Sequence, residues 1–234
     1  MLQHTTDIPP FSGSAAHHRS ASTVMLLSRP AGLTRRQRLL KRLVDIVVAS
    51  IGLLLTLPFM LLIALAIKLE SRGPVLFRQR RVGEGGVLFH IYKFRSMVVN
   101  AEALQSALNE VRADGSTIHK HRHDPRVTRI GRFIRRTSLD EMPQLLNVLL
   151  GSMSMVGPRP ELPWLVEQYE SWQRERFLVP QGITGWWQVT GRSSKPCHLS
   201  TEDDLHYVRN YSIWLDIRIM LMTIPALIKG DGAF

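Results

Sequence analysis

The chain has 234 residues, enough for one domain with a real core plus an appendage, and too few for two full domains to fit comfortably. Its 30 lysines and arginines against 19 acids give a formal charge of +11, which calls for an anionic partner: nucleic acid, anionic lipid or a phosphorylated substrate. Cys197 is the only cysteine, which excludes an intramolecular disulfide and a cysteine-cluster zinc site and fits a reducing, cytoplasm-facing location.

Residues 1–34 are rich in His, Ser, Thr and Pro, lack apolar periodicity and a secretory-signal pattern, and read as a disordered tail. From Ile46 to Ile67 no side chain is charged, and as a helix this stretch would extend roughly 33 Å, enough to cross a ~30 Å hydrocarbon layer. Both flanks are basic: Arg35, Arg36, Arg38, Lys41 and Arg42 precede it, and Lys68, Arg72, Arg78, Arg80 and Arg81 follow. Each end therefore favours the cytoplasmic side. Pro58 lies near the middle, without an N–H and with its ring against the carbonyl of Leu54, so a break is expected there. The expectation for residues 35–72 is a re-entrant helix-break-helix hairpin, with the Ser50 and Thr56 hydroxyls available to the freed carbonyl. A kinked but spanning helix is the alternative.

Residues 73–234 read as a single domain on the cytoplasmic face. Val75–Val82 and Val87–Phe94 are β-rich runs around Gly83-Glu84-Gly85-Gly86 and predict a hairpin. A helix is expected over Asn100–Ala113, a loop over Gly115–Pro125, and a helix from Ser138 to Leu150 that stops at Gly151. Pro158, Pro160 and Pro163 impose a stiff turn, after which helices are expected over Leu165–Leu178, from Thr201 to Tyr211, and over Ile213–Ile228. The last of these mixes apolar residues with Asp216 and Arg218, as a helix lying along a membrane surface does. The fold class expected is α+β, mostly helical, with a small β-hairpin and amphipathic surface helices.

The sharpest candidate for chemistry is Asp140-Glu141, adjacent carboxylates following a run in which Lys120–Arg136 holds seven basic residues and one acid. The plainer reading is a helix cap, because Ser138 and Glu141 have the spacing of a capping box and acids suit a first helical turn. A carboxylate approaching a diphosphate, however, meets a repulsion of about 4 kcal/mol at 4 Å and an effective dielectric of 20. Arg126, Arg129, Arg132, Arg135 and Arg136 supply the opposing charge close by, and adjacent carboxylates also suit Mg²⁺. Lys93 and Arg95 end the second predicted strand, and Gly157-Pro158-Arg159-Pro160 presents an arginine from a rigid turn. His119, His121 and His123 alternate in a loop and are one ligand short of a closed metal site.

GPVLFRQRRVG, FHIYKFRSM, DPRVTRIGRFIRRTSLDEMPQLLNVLLG, MVGPRPE, GITGWWQVTGR and DLHYVRNYSIWLDIRIMLMT follow one another in the chain. Together they resemble the bacterial sugar transferases, monotopic phosphoglycosyl transferases that start glycan assembly on polyprenyl phosphate. The resemblance implies that Asp140 attacks the β-phosphorus of a UDP-sugar, expels UMP and forms an aspartyl phosphosugar, which polyprenyl (undecaprenyl) phosphate then takes. It implies that Asp140 and Glu141 hold Mg²⁺, and that Lys93, Arg95, Arg126, Arg136, Arg159 and Arg192 bind phosphate or substrate. It further implies a bacterial inner-membrane protein among membrane lipids, without a nucleic-acid partner, transferring a hexose-1-phosphate in exopolysaccharide synthesis. The sequence departs from the family in having Leu57-Pro58 where Ser-Pro is frequent, Ser152 in place of the Asp of Gly-Asp-Met, and Gln181 in place of a proline. Two readings compete: a membrane-tethered nucleic-acid binder, which would use the positive charge and tryptophans, and a membrane scaffold without enzymatic activity.

Overall fold

The computed structural model describes residues 33–101, 110–111, 117–118, 124–190 and 201–229. Residues 1–32 of the expected tail, Arg192, Cys197, and His119, His121 and His123 lie outside them. Helix α1 spans Arg35–Glu70. It opens on a capping box: Thr34 accepts from the Gln37 N–H at 3.3 Å, and the Gln37 side chain accepts from the Thr34 N–H at 2.9 Å. The expected break is not seen as two helices, because α1 continues across Pro58. Proline removes one donor, and the turns on either side keep their own bonds. The Thr56 hydroxyl donates to the carbonyl of Gly52 at 2.7 Å rather than to that of Leu54.

α1 packs on the remaining chain in both its first and its second half. Lys41, Asp45, Ala49, Ile63 and Ile67 form its buried stripe, at spacings that keep them on one face. Lys41 donates to the Val156 carbonyl at 2.8 Å and to Asp216 at 2.9 Å, while Asp45 accepts from Ser154 and from the Met155 N–H. At the far end the Glu70 carboxylate accepts from the main-chain N–H groups of Arg129 and Ile130. Along the rest of the helix Leu54, Leu55, Leu57, Phe59, Leu61, Leu62 and Leu65 are exposed. By length and composition α1 is able to cross a membrane.

Strands β1 (Leu76–Val82) and β2 (Leu88–Phe94) form the expected antiparallel hairpin, paired from Leu76↔Phe94 to Val82↔Leu88. Gly85 and Gly86 take positive φ in the connecting turn, the conformation for which glycine carries no steric penalty. The expected helix over Asn100–Ala113 gives way at Glu110–Val111 (β3), which pairs antiparallel with Thr117–Ile118 (β4) inside the expected loop. β-branched Val111, Thr117 and Ile118 suit a ladder better than a helix.

Helix α2 (Arg129–Arg136) is capped by the Thr128 hydroxyl and packs Ile130 and Ile134 against Ile63, Ile67 and Phe94. The expected Ser138–Leu150 helix divides into a 3₁₀ turn at Leu139–Glu141 and helix α3 (Gln144–Leu150). Pro143 intervenes, and Gly151 at φ 84° closes α3 where the sequence placed its end. α3 packs Leu145 and Val148 against Ala49 of α1 and Ile91 of β2.

β5 (Ser154–Val156) pairs parallel with β6 (Gly182–Thr184). Between them, α4 (Pro163–Glu167) and a 3₁₀ segment at Gln173–Leu178 replace the single helix expected over Leu165–Leu178. Helices α5 (Trp186–Thr190), α6 (Thr201–Arg209) and α7 (Ile213–Lys229) follow, the last two close to the expected bounds. Tyr207 of α6 and Ile219 of α7 pack on Val156 and Val179. The chain is mostly helical with small sheets, as expected.

Candidate active site

Three segments meet at the Asp140-Glu141 pair: the end of β2, the link from α2 to α3, and the turn after β5. Their relative placement depends on Asn147, an asparagine set among leucines in α3. Its Oδ1 accepts from the Tyr92 N–H at 2.9 Å and its Nδ2 donates to the His90 carbonyl at 2.7 Å, so the side chain completes the free edge of β2 as a neighbouring strand would. Lys93 is thereby held at a fixed height beside the start of α3.

Ser138 joins α2 to the 3₁₀ turn with φ 56°, and is the one non-glycine residue at positive φ among the described residues. A left-handed L-residue costs on the order of 1 kcal/mol. The resulting turn packs Leu139 against the Ile63, Ile67 and Ile134 cluster and sets the two acids beside β2. Ser138 makes no capping hydrogen bond, so the capping-box reading does not hold.

Glu141 instead bridges two cations. Its Oε1 accepts from Lys93 Nζ at 2.8 Å and from Arg159 Nη2 at 2.5 Å, and its Oε2 takes the longer Arg159 Nη1 contact at 3.3 Å. Burial pushes its carboxyl upward, but Arg159 and Lys93 beside it hold it well below the usual range. Asp140 is 9% exposed, and among the described residues no side chain forms a salt bridge with it. Burial pushes its carboxyl up; Lys93 opposes this, the Glu141 charge adds to it, and Arg135 and Arg159 pull it back. Burial likewise lowers Lys93, against the Glu141 charge. The result is one ion-paired carboxylate and one buried, available carboxylate at consecutive positions.

The other expected phosphate ligands separate from this cluster. Arg95 is buried and donates to the Ser71 and Arg72 carbonyls and the Ser71 hydroxyl, which closes the end of α1. Arg126 is buried in a bidentate pair with Asp124 and reaches the Ala101 carbonyl. Arg136 is exposed, while Arg135, one residue earlier, is the member of the run whose charge acts on Asp140. A helix repeat of 3.6 residues puts the adjacent Arg135 and Arg136 about 100° apart, so one faces Asp140 and the other solvent.

Arg159 is set by a further residue that sequence reasoning passed over. Arg176 is 0% exposed, donates to the Arg159 main-chain carbonyl at 3.0 Å and to Tyr169 at 2.9 Å, and pairs with Asp204 at 2.5 Å. Just before this turn, Gly157 packs its backbone so closely on Pro180 and Gly182 that a Cβ would collide with them. A cleft of about 180 Å³ opens beside Glu141 and Arg159 and continues between Ile183, Val189 and Leu227.

A sequence profile of the bacterial sugar transferases matches residues 36–230. The undecaprenyl-phosphate galactose phosphotransferase of Salmonella typhimurium is 38% identical over 239 residues, an overlap of 98% of this chain and 50% of the relative. The UDP-glucose:undecaprenyl-phosphate glucose-1-phosphate transferase of Escherichia coli is 45% identical over 195 residues, 80% of this chain and 40% of the relative. The UDP-N-acetylgalactosamine-undecaprenyl-phosphate N-acetylgalactosaminephosphotransferase of Aeromonas hydrophila is 42% identical over 200 residues, 83% and 45% of the two chains. The chain thus spans about half, or somewhat less, of the length of these relatives. The comparisons lend no support to the nucleic-acid or scaffold readings. With a profile match over most of its length, this chain belongs to the bacterial sugar transferase family.

Proposed function

We propose that this chain transfers a hexose-1-phosphate from a UDP-sugar to undecaprenyl phosphate through a covalent aspartyl phosphosugar on Asp140. The observation that carries this reading is the contrast between Glu141, tied to Lys93 and Arg159, and Asp140, buried beside the same cations with no salt bridge among the described residues. The substrate class is supported by the relatives named for undecaprenyl phosphate and UDP-glucose.

A carboxylate oxygen of Asp140 attacks the β-phosphorus, and the bond from that phosphorus to the bridging oxygen breaks, its electron pair leaving on UMP. An oxygen of undecaprenyl phosphate then attacks the same phosphorus, the acyl–phosphate bond breaks, and the pair returns to Asp140. Two displacements through a covalent intermediate replace one difficult step. Lys93, Arg135 and Arg159 supply the positive charge that lets a carboxylate approach a diphosphate.

Mg²⁺ fits the same pair. Among the described residues Asp140 forms no salt bridge, Glu141 Oε2 is the less engaged oxygen of its group, and no cluster of three acids, His or Cys exists to enclose an ion. One or two carboxylates completed by water and substrate phosphate is a common way to hold this ion. When bound, it would neutralise charge on the diphosphate.

α1 is read as the membrane element, with its exposed leucine face in the hydrocarbon. Lys41 near one end and Glu70 at the other both bond to the same body, which supports a re-entrant arrangement with both ends on the cytoplasmic face of the bacterial inner membrane. The cleft suits a lipid acceptor, charged at Glu141 and Arg159 and apolar toward Leu227 of α7. In this reading the product is the first lipid-linked sugar of an exopolysaccharide or another surface glycan.

The test is UMP release from UDP-glucose and UDP-galactose by the reconstituted chain with undecaprenyl phosphate and Mg²⁺, wild type against Asp140→Asn. Release should fall at least about a thousandfold in the variant. An equally active variant removes Asp140 from the nucleophile role, and silence of the wild type with every nucleotide sugar removes the activity.

A further inference from the structure

α2 carries a second surface that the transfer reaction does not use. Ile130 and Ile134 turn inward onto α1 and β2, whereas Arg129, Arg132, Phe133 and Arg136 are exposed at i, i+3, i+4 and i+7 along the opposite face. Phe133 is 58% exposed in the middle of these three arginines. Such a face is poorly suited to water. The arginines repel one another, Arg129 stands at the positive end of the helix dipole, and the phenyl ring is largely open to solvent. α2 contains no acid, and the Glu70 carboxylate at its start is held by the main-chain N–H groups of Arg129 and Ile130.

The position of the face says what it meets. Through Glu70 and Ile67 it adjoins the last turn of α1, where Lys68 and Arg72 are exposed beside Leu69, itself 79% exposed. The exposed apolar side of α1 reaches this level through Leu61, Leu62 and Leu65. A ring flanked by guanidinium groups at the margin of an apolar helix matches the boundary between hydrocarbon and lipid phosphate, where aromatic rings settle and arginines meet anionic headgroups.

We infer that the Arg129–Arg132–Phe133–Arg136 face of α2 is a docking surface for anionic phospholipid, with Phe133 inserted at headgroup depth. The inference rests on the reading of α1 as a membrane element and adds a preference for lipid charge at a surface separate from the Asp140 cluster. That preference ties the helix leading into the catalytic turn to the bilayer.

The experiment uses the full chain with Cys197→Ser and a bimane fluorophore on Phe133→Cys, reconstituted into phosphatidylcholine vesicles. These contain equal fractions of either brominated phosphatidylcholine or brominated phosphatidylglycerol. Quenching by the brominated phosphatidylglycerol should exceed that by brominated phosphatidylcholine about fivefold or more, the effect of a single arginine near an anionic surface. The difference should shrink with added salt and disappear in Arg129→Gln/Arg132→Gln/Arg136→Gln. The same fluorophore on Leu57→Cys, from the exposed face of α1, reports the membrane reading separately and should be quenched by both lipids alike. A quenched Leu57 label with an unquenched Phe133 label, or with one that does not distinguish the two lipids, overturns the inference alone. A response of the Phe133 label to added undecaprenyl phosphate but not to phosphatidylglycerol also overturns it. An unquenched Leu57 label overturns the membrane reading and the inference together.

Discussion

Lys93 donates to Glu141 Oε1 at 2.8 Å, so the lysine at the end of β2 is tied to the second acid of the pair and leaves the first one open. Asp140 nonetheless feels its charge, which opposes the upward push of burial. The nucleophile must be ionised, so kcat/KM should rise with pH along an acid limb that lies above the ordinary aspartate range. In Lys93→Met the opposing charge is gone, and the limb should move to still higher pH while activity at neutral pH falls about a hundredfold. A pH–rate profile with the same acid limb in both proteins would show that Lys93 acts on Glu141 alone.

Arg135 and Arg136 are neighbours in sequence with different surroundings. Arg135 donates to the Ser96 hydroxyl at 2.8 Å and acts on Asp140, while Arg136 is exposed. Arg135→Gln should therefore lower kcat/KM by roughly tenfold to a hundredfold, and Arg136→Gln in detergent by less than about threefold. Steady-state UMP release in detergent makes the comparison without a contribution from the lipid surface.

Arg176 is a buried cation between Asp204 and Glu161 that also holds the Arg159 main chain. Arg176→Met strands two buried carboxylates and should cost about 3–5 kcal/mol, read as a large fall in the thermal midpoint in detergent. Burial raises Asp204 to about 6 against the pull of Arg176, with the Glu161 charge adding to the rise. The folded chain then holds this proton more tightly than the unfolded one. Its contribution to stability is fully present below the ordinary aspartate range and is lost as pH rises to about 6. Asp204→Asn should flatten the thermal midpoint between about pH 4 and pH 6 relative to wild type; parallel curves would contradict this origin of the slope.

Ser138 holds its left-handed conformation without a capping bond. Ser138→Gly should raise stability by up to about 1 kcal/mol, and Ser138→Val should lower it by more, because a β-branched residue is disfavoured at positive φ. Chemical denaturation of the two variants in one detergent tests the order.

Local rules carried far in this chain where one signal acted alone. The β1–β2 hairpin, the stop at Gly151 and the long apolar α1 each follow from a period or a punctuating residue. The Asp140–Glu141–Lys93–Arg159 cluster was also approached from residue types, because a phosphate site needs charges of both signs. What sequence could not resolve was which neighbour each arginine meets. Arg95 and Arg126 close main-chain ends and a loop, and those carbonyls and Asp124 compete with phosphate for the same donors. Pro143 and the left-handed Ser138 broke the expected helix at the site itself, where local preference gave way to the placement of two acids. Arg176 gave no periodic signal because its partners lie far apart in the chain.

The proposed transfer requires a covalent bond to one side chain. Wild-type chain quenched in acid during turnover of a UDP-hexose, without lipid acceptor, should yield an intact mass raised by one hexose phosphate. Peptide mapping should place the adduct on Asp140, and addition of undecaprenyl phosphate before the quench should remove it. No adduct under conditions that release UMP, an adduct on any other residue, or an adduct in Asp140→Asn would contradict the account.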